Sequence, residues 1–73
     1  MNPHKTFSLY VDHVGGRSEA ARRLGISAGM VGHIVNGIRG ISPAVAMAVE
    51  ADSGGLIRRG SLRPDLWGEQ EAA

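Results

Sequence analysis

Two short apolar-periodic segments on either side of Gly25 constrain this chain more than any other feature. In the first, Ser18 to Leu24, the residues Ala20, Ala21 and Leu24 fall on one helical face; in the second, Ala28 to Asn36, Val31, Ile34 and Val35 do the same. A join this short needs one residue at positive φ, which glycine supplies without steric cost, and Ile26 is placed to plug the angle between the helices. Ser27 reads as the N-cap of the second segment. The small Ala20 and Ala21 permit the close approach that two helices crossing after such a turn require. The layout is that of a helix-turn-helix over 17–36, and it points to DNA binding.

Length and composition narrow the alternatives. A chain of 73 residues makes one domain, and a core of that size supplies roughly 3 to 5 kcal/mol, so dimerisation is expected. With no cysteine, neither a disulfide nor a thiolate zinc site can staple the fold, and apolar packing must hold it. No stretch approaches the roughly 18 apolar residues of a membrane helix, and the N-terminus lacks a basic region followed by an apolar run. A cytoplasmic protein with no membrane partner is the expectation. Net charge is only +1, but it is unevenly spread. Through Gly40, Lys5, Arg17, Arg22, Arg23 and Arg39 stand against Asp12 and Glu19; beyond it, Arg58, Arg59 and Arg63 face Glu50, Asp52, Asp65, Glu69 and Glu71. The basic half contains the helix-turn-helix, as expected if that end faces phosphate.

Along the chain, Asn2-Pro3 caps a first helix in which Phe7, Tyr10, Val11 and Val14 recur at helical spacing until Gly15-Gly16. Asn36-Gly37 ends the second helix of the motif, Ile38 to Ile41 form a loop, and Ser42-Pro43 opens a fourth helix. Its expected inner face is Val45, Ala48 and Val49, with Glu50 and Asp52 outside and Ser53-Gly54-Gly55 as its stop. Leu56-Ile57-Arg58 reads as a short extended segment, followed by one helical turn near Ser61 and an arm carrying Leu66 and Trp67. The domain is expected over 1–67, with 68–73 a disordered tail. The expected fold is all-α, a small four- to five-helix λ-repressor-like domain.

The run from Val14-Gly15-Gly16 through the helix-turn-helix, then Asn36-Gly37, Ser42-Pro43, Ala48-Val49-Glu50-Ala51, Gly54-Gly55 and the string Leu62-Arg63-Pro64-Asp65-Leu66-Trp67-Gly68, resembles the Cro-like, YdaS-type regulators of prophages and bacterial chromosomes. The resemblance covers about residues 5 to 68, and the closing string is its sharpest mark. It implies a small helical DNA-binding repressor acting as a dimer. Some relatives carry the label of antitoxin.

On that reading the helix from Ala28 to Val35 enters the major groove, with Ala28, Gly29, Met30, Gly32 and His33 facing outward. The set is poor in Arg, Asn and Gln, the side chains that make bidentate base contacts. Ala28 and Met30 could touch thymine methyls, and His33 a purine edge. Gly29 and Gly32 together cost about 2 kcal/mol of helix propensity relative to alanine; either they allow close approach to a partner, or packing tolerates a weak helix. Arg17, Ser27, Asn36, Arg39 and Lys5 are candidates for phosphate contact, which gives affinity and register but no sequence choice. Arg22 and Arg23 read as a solvated face complementing the helix C-terminal dipole.

His4, His13 and His33 lack metal-ligand spacing, each serine sits at a cap or loop where serine is expected, and no buried base or paired carboxylates stand out. No metal, cofactor or enzymatic activity is expected. Leu66 and Trp67 either close the core of their own chain or cross a two-fold axis, and Leu56, Ile57 and Leu62 are further candidates for a dimer surface. A symmetric dimer would place two recognition helices in successive major grooves about 34 Å apart and read palindromic double-stranded DNA. The competing reading is a protein-interaction module, an antitoxin that masks a toxin or an adaptor, because a fold does not fix a function.

Overall fold

A computed structural model describes residues 2–68. They form six helices in the order α1 Pro3–Val14, α2 Arg17–Leu24, α3 Ala28–Val35, α4 Pro43–Asp52, α5 Arg59–Leu62 and α6 Pro64–Trp67. The fold is all-helical, with one helix more than the sequence reading allows. Except for Gly68, the expected tail lies outside the described residues. None of the described helices is long and apolar enough to cross a membrane.

Local chemistry sets the helix ends. Asn2 accepts a hydrogen bond from the Lys5 N–H at 2.9 Å, with Pro3 in the first turn where its missing donor is harmless. Ser27 accepts from Met30 N–H at 3.0 Å and Ser42 from Val45 N–H at 3.1 Å, each satisfying a donor that a helix start leaves over. The turn of the helix-turn-helix closes at Gly25, whose φ of 72° lies in the left-handed region. There the N–H groups of Gly25 and Ile26 both donate to Ala21 O, at 2.9 and 3.1 Å. α2 starts directly behind Gly16 without a side-chain cap.

The core gathers Phe7, Tyr10 and Val11 from α1, Ala20 and Ala21 from α2, Val31 and Ile34 from α3, Ile41 from the following loop, Val45, Ala46 and Val49 from α4, and Leu62 from α5. α2 and α3 pack on each other and both pack on α1, while α4 touches α2 and α5, and α5 returns to α1. Ala20 and Ala21 are buried where α2 approaches its neighbours, and Ile26 packs against the core from the turn.

In these elements the sequence reading is corrected at four points. On α4 the buried alanine is Ala46, and Ala48 is half-buried; contact with both α2 and α5 turns the inner arc toward Ala46. Leu56 and Ile57 form a bend after the turn at 53–55, and of the expected extended segment only Arg58, just before α5, has extended backbone. Ser53 Oγ donates to Glu50 O at 3.2 Å and accepts from Ile57 N–H at 3.0 Å, folding the chain back where a lone strand would have left its backbone unpaired. The arm is helix α6, and Leu62 is no surface residue: it is 1% exposed, in the core of its own chain.

Arg63 fixes the α5–α6 corner. Its Nη1 donates to Ile41 O at 3.0 Å, while Nε and Nη2 donate to the two carboxylate oxygens of Asp65 at 3.0 and 2.7 Å. The bidentate fork is the geometry in which Arg–carboxylate pairing is strongest. Trp67 packs against the core of its own chain, with the Arg59 guanidinium 5.0 Å from its ring centroid. Ile57 joins it there, whereas Leu56 and Leu66 are exposed at 70% and 47%.

Candidate functional site

α3 presents one side to the core and one to solvent, and the division follows from 3.6 residues per turn. Val31 and Ile34 are buried, and Met30 and Val35 lean on the core. Gly32 is two residues from Ile34 and so points the other way, in line with Gly29 and Asn36 one turn on either side. Of the residues expected outward, Ala28, Gly29 and His33 are exposed. Met30 is a correction: its flexible side chain packs against the core and is half-buried. Gly32 is another. It is buried, because the Arg17 side chain lies across it: a Cβ at position 32 would stand 2.8 Å from Arg17 Nη1 and 3.6 Å from Cζ.

The residues expected to contact phosphate surround this helix. Ser27 caps its amino end and Asn36 its carboxyl end. Lys5, with Asn2, His4 and Ser8, borders a shallow depression closed by Val35, Asn36 and Gly37. Arg39 lines a second depression with Ile26, Met30, Ile34, Ser42 and Val45. Arg17 reaches α3 from the start of α2. These three cations have no carboxylate partner among the described residues.

Arg22 and Arg23 are engaged elsewhere. Both bind Glu19, Arg22 through a fork and Arg23 Nε at 2.8 Å, and Arg23 Nη1 reaches Asp52 at 3.3 Å. Asp52, placed outside by the sequence reading, also accepts from the Tyr10 hydroxyl at 2.8 Å. The chain of contacts ties α2 to α4 and α1. The Arg22 and then the Arg23 hydrogen bonds pull the Glu19 carboxyl down to about 2. The Tyr10 hydroxyl, followed by Arg23, holds Asp52 below the usual range. Burial, aided by the Asp52 carboxylate, pushes the Tyr10 hydroxyl above its ordinary value.

Sequence reasoning missed one residue that positions α3. His4 Nδ1 lies 2.9 Å from Ile34 O, and since a carbonyl only accepts, Nδ1 carries the proton. The bond fastens the amino end of α1 to the last turn of α3 across 30 residues, a separation at which the sequence carries no signal. Among the described residues no group of three His, Asp or Glu side chains is placed to hold a metal ion.

An exposed, glycine-bearing α3 crossing α2 at a tight turn defines a small all-helical domain of the helix-turn-helix class. The chain belongs to the family described as bacterial toxin YdaS, whose model matches residues 7–71. No curated protein and no solved structure matches it.

Proposed function

We propose that the protein is a sequence-specific DNA-binding regulator, a Cro-like repressor that acts in the cytoplasm without cofactor or catalysis and binds a palindromic operator as a dimer. One observation carries the reading: three cations without carboxylate partners among the described residues, Lys5, Arg17 and Arg39, border α3, while Arg22, Arg23, Arg59 and Arg63 are paired with acids away from it. Phosphate needs unpaired cations flanking a helix that can enter the groove. Repression then follows from promoter occupancy.

The test is selection of bound DNA from a randomised duplex library, with affinity measured across salt concentrations. Enrichment of a palindrome is expected. So is a slope of log K against log salt of about −4 to −5, for the four to six phosphates that a dimer's paired Lys5, Arg39 and Arg17 side chains can neutralise. Affinity independent of salt and selection without enrichment would overturn the proposal.

A second reading, a protein-interaction module such as an antitoxin, is favoured by the scarcity of base-reading side chains on α3 and by the exposed Leu9, Ile38, Met47, Leu56 and Leu66. Purification as a stoichiometric complex with a neighbouring gene product, combined with no DNA binding, would select it.

A further inference from the structure

Gly32 has no side chain to hide, yet it is buried, and the residue that buries it is Arg17. A Cβ on Gly32 would meet Nη1 at 2.8 Å, Cζ at 3.6 Å and Cδ at 4.0 Å. The end of the Arg17 side chain therefore lies over the outward side of α3, while Arg17 as a residue stays exposed. It has no carboxylate partner among the described residues, unlike Arg22 and Arg23 on the same helix. Around it the outward side of α3 offers Ala28, Gly29 and His33, none of which can make a two-pronged contact, and at its carboxyl end Asn36, whose amide matches adenine and not guanine. A guanidinium can: its planar fork matches O6 and N7 of guanine, a pairing that an ammonium group does not reproduce.

We infer that Arg17, reaching across from α2, is the guanine-reading residue of this domain, and that Gly32 is the bare seat that lets its guanidinium lie over the recognition helix. The inference rests on the DNA-binding reading above and changes the part Arg17 plays in it, from phosphate contact to sequence choice. It accounts for Gly32 through contact within the chain; any of the other nineteen side chains there would displace the arginine.

Two variants test it. Arg17→Lys keeps the positive charge and loses the fork. Gly32→Ala leaves Arg17 in the chain but places a methyl where Nη1 lies, and since Nη1 is the far end of a flexible side chain, the arginine moves while the helix holds. Duplex selection and competition binding at one salt concentration are run on wild type and both variants, with far-UV circular dichroism confirming the fold of each. The expected result is a wild-type consensus with one guanine per half-site that both variants cease to prefer. Discrimination at that pair should fall by about five- to a hundred-and-fiftyfold, with the salt slope of Arg17→Lys unchanged. Should Arg17→Lys select the wild-type consensus and weaken all sequences alike, Arg17 is a phosphate contact and this inference alone is overturned. Absence of any salt-dependent duplex binding by the wild type would remove the DNA-binding reading, and the inference with it.

Discussion

Replacing Gly29 by alanine should stabilise the protein, and the structure says by how much. Gly29 is the second residue of α3, exposed, and its φ is not among the positive ones. A Cβ built on it meets only Ser27 Oγ, at 3.9 Å, an ordinary contact that leaves the serine cap in place. Nothing therefore opposes the propensity difference, which is about 1 kcal/mol in a helix interior and smaller in a first turn; the lost freedom of the unfolded chain acts in the same direction. A gain of about 0.5 to 1 kcal/mol corresponds to a rise in melting temperature of about 2 to 8 °C for a domain of this size. Gly25→Ala is the control with the opposite sign, since at φ 72° any Cβ is strained. The assay is thermal unfolding followed by far-UV circular dichroism at one fixed protein concentration, because association would make the midpoint concentration-dependent. A Gly29→Ala protein that melts at or below the wild-type temperature, with Gly25→Ala destabilised as expected, would refute the claim that the amino end of α3 has room for a side chain.

Tyr10→Phe removes a buried hydroxyl bonded to the Asp52 carboxylate and should cost about 1.5 to 3 kcal/mol in urea unfolding, the range for a hydrogen bond to a charged group; an unchanged midpoint would mean that the bond contributes nothing net. Glu19, held at about 2, and Asp52, held low, keep their charge in the folded protein after the unfolded chain has begun to take up protons. Their contribution is thus complete above the ordinary carboxylate range and is lost as pH falls from there toward 2. Glu19→Gln should flatten the acid side of a stability-against-pH curve, and an acid side as steep as wild type would assign the effect to other groups. Leu62→Ala should cost about 2 to 5 kcal/mol, comparable with the whole stability expected of so small a core, when variant and wild type are unfolded in urea at one matched protein concentration. A midpoint equal to that of wild type would contradict its place in the core.

The parts of this fold that were legible are those with local causes. Asn2-Pro3, Ser27 and Ser42-Pro43 announce helix starts because a cap needs only a side-chain oxygen three residues from an orphan N–H. The turn at Gly25 is legible because only one residue type takes its conformation freely. What was not legible depends on distance in sequence: His4 on Ile34, Tyr10 on Asp52, Arg63 on Ile41, separated by 30, 42 and 22 residues. The string Leu62 to Gly68 lies between these cases. Its composition stands out in the sequence while its work does not, because Leu62 fills the core, Arg63 clamps the preceding loop, Asp65 holds the Arg63 fork and Trp67 closes over α5 with Arg59. Gly32 on the outward side of α3 is hidden from the sequence for the same reason: periodicity gives direction, and it does not say that a residue from another helix lies on top.

Net charge was the least informative number in the sequence, and the structure explains why. A total of +1 counts every carboxylate against every cation wherever they lie, whereas phosphate responds to charge near the binding face. Here Glu19, Glu50, Asp52 and Asp65 are each held against arginines on α2, α5 or the α5–α6 corner. They neutralise cations that do not border α3 and leave Lys5, Arg17 and Arg39 uncompensated where they do. The same pairs that hold the helices together therefore also sort the charge. On the DNA-binding reading, Glu19→Gln, on the same helix as Arg17 but not itself among the expected DNA contacts, should alter association through the field: losing the carboxylate leaves Arg22 without its partner and Arg23 with Asp52 alone, which raises the association rate at low salt and loses that advantage as salt is added.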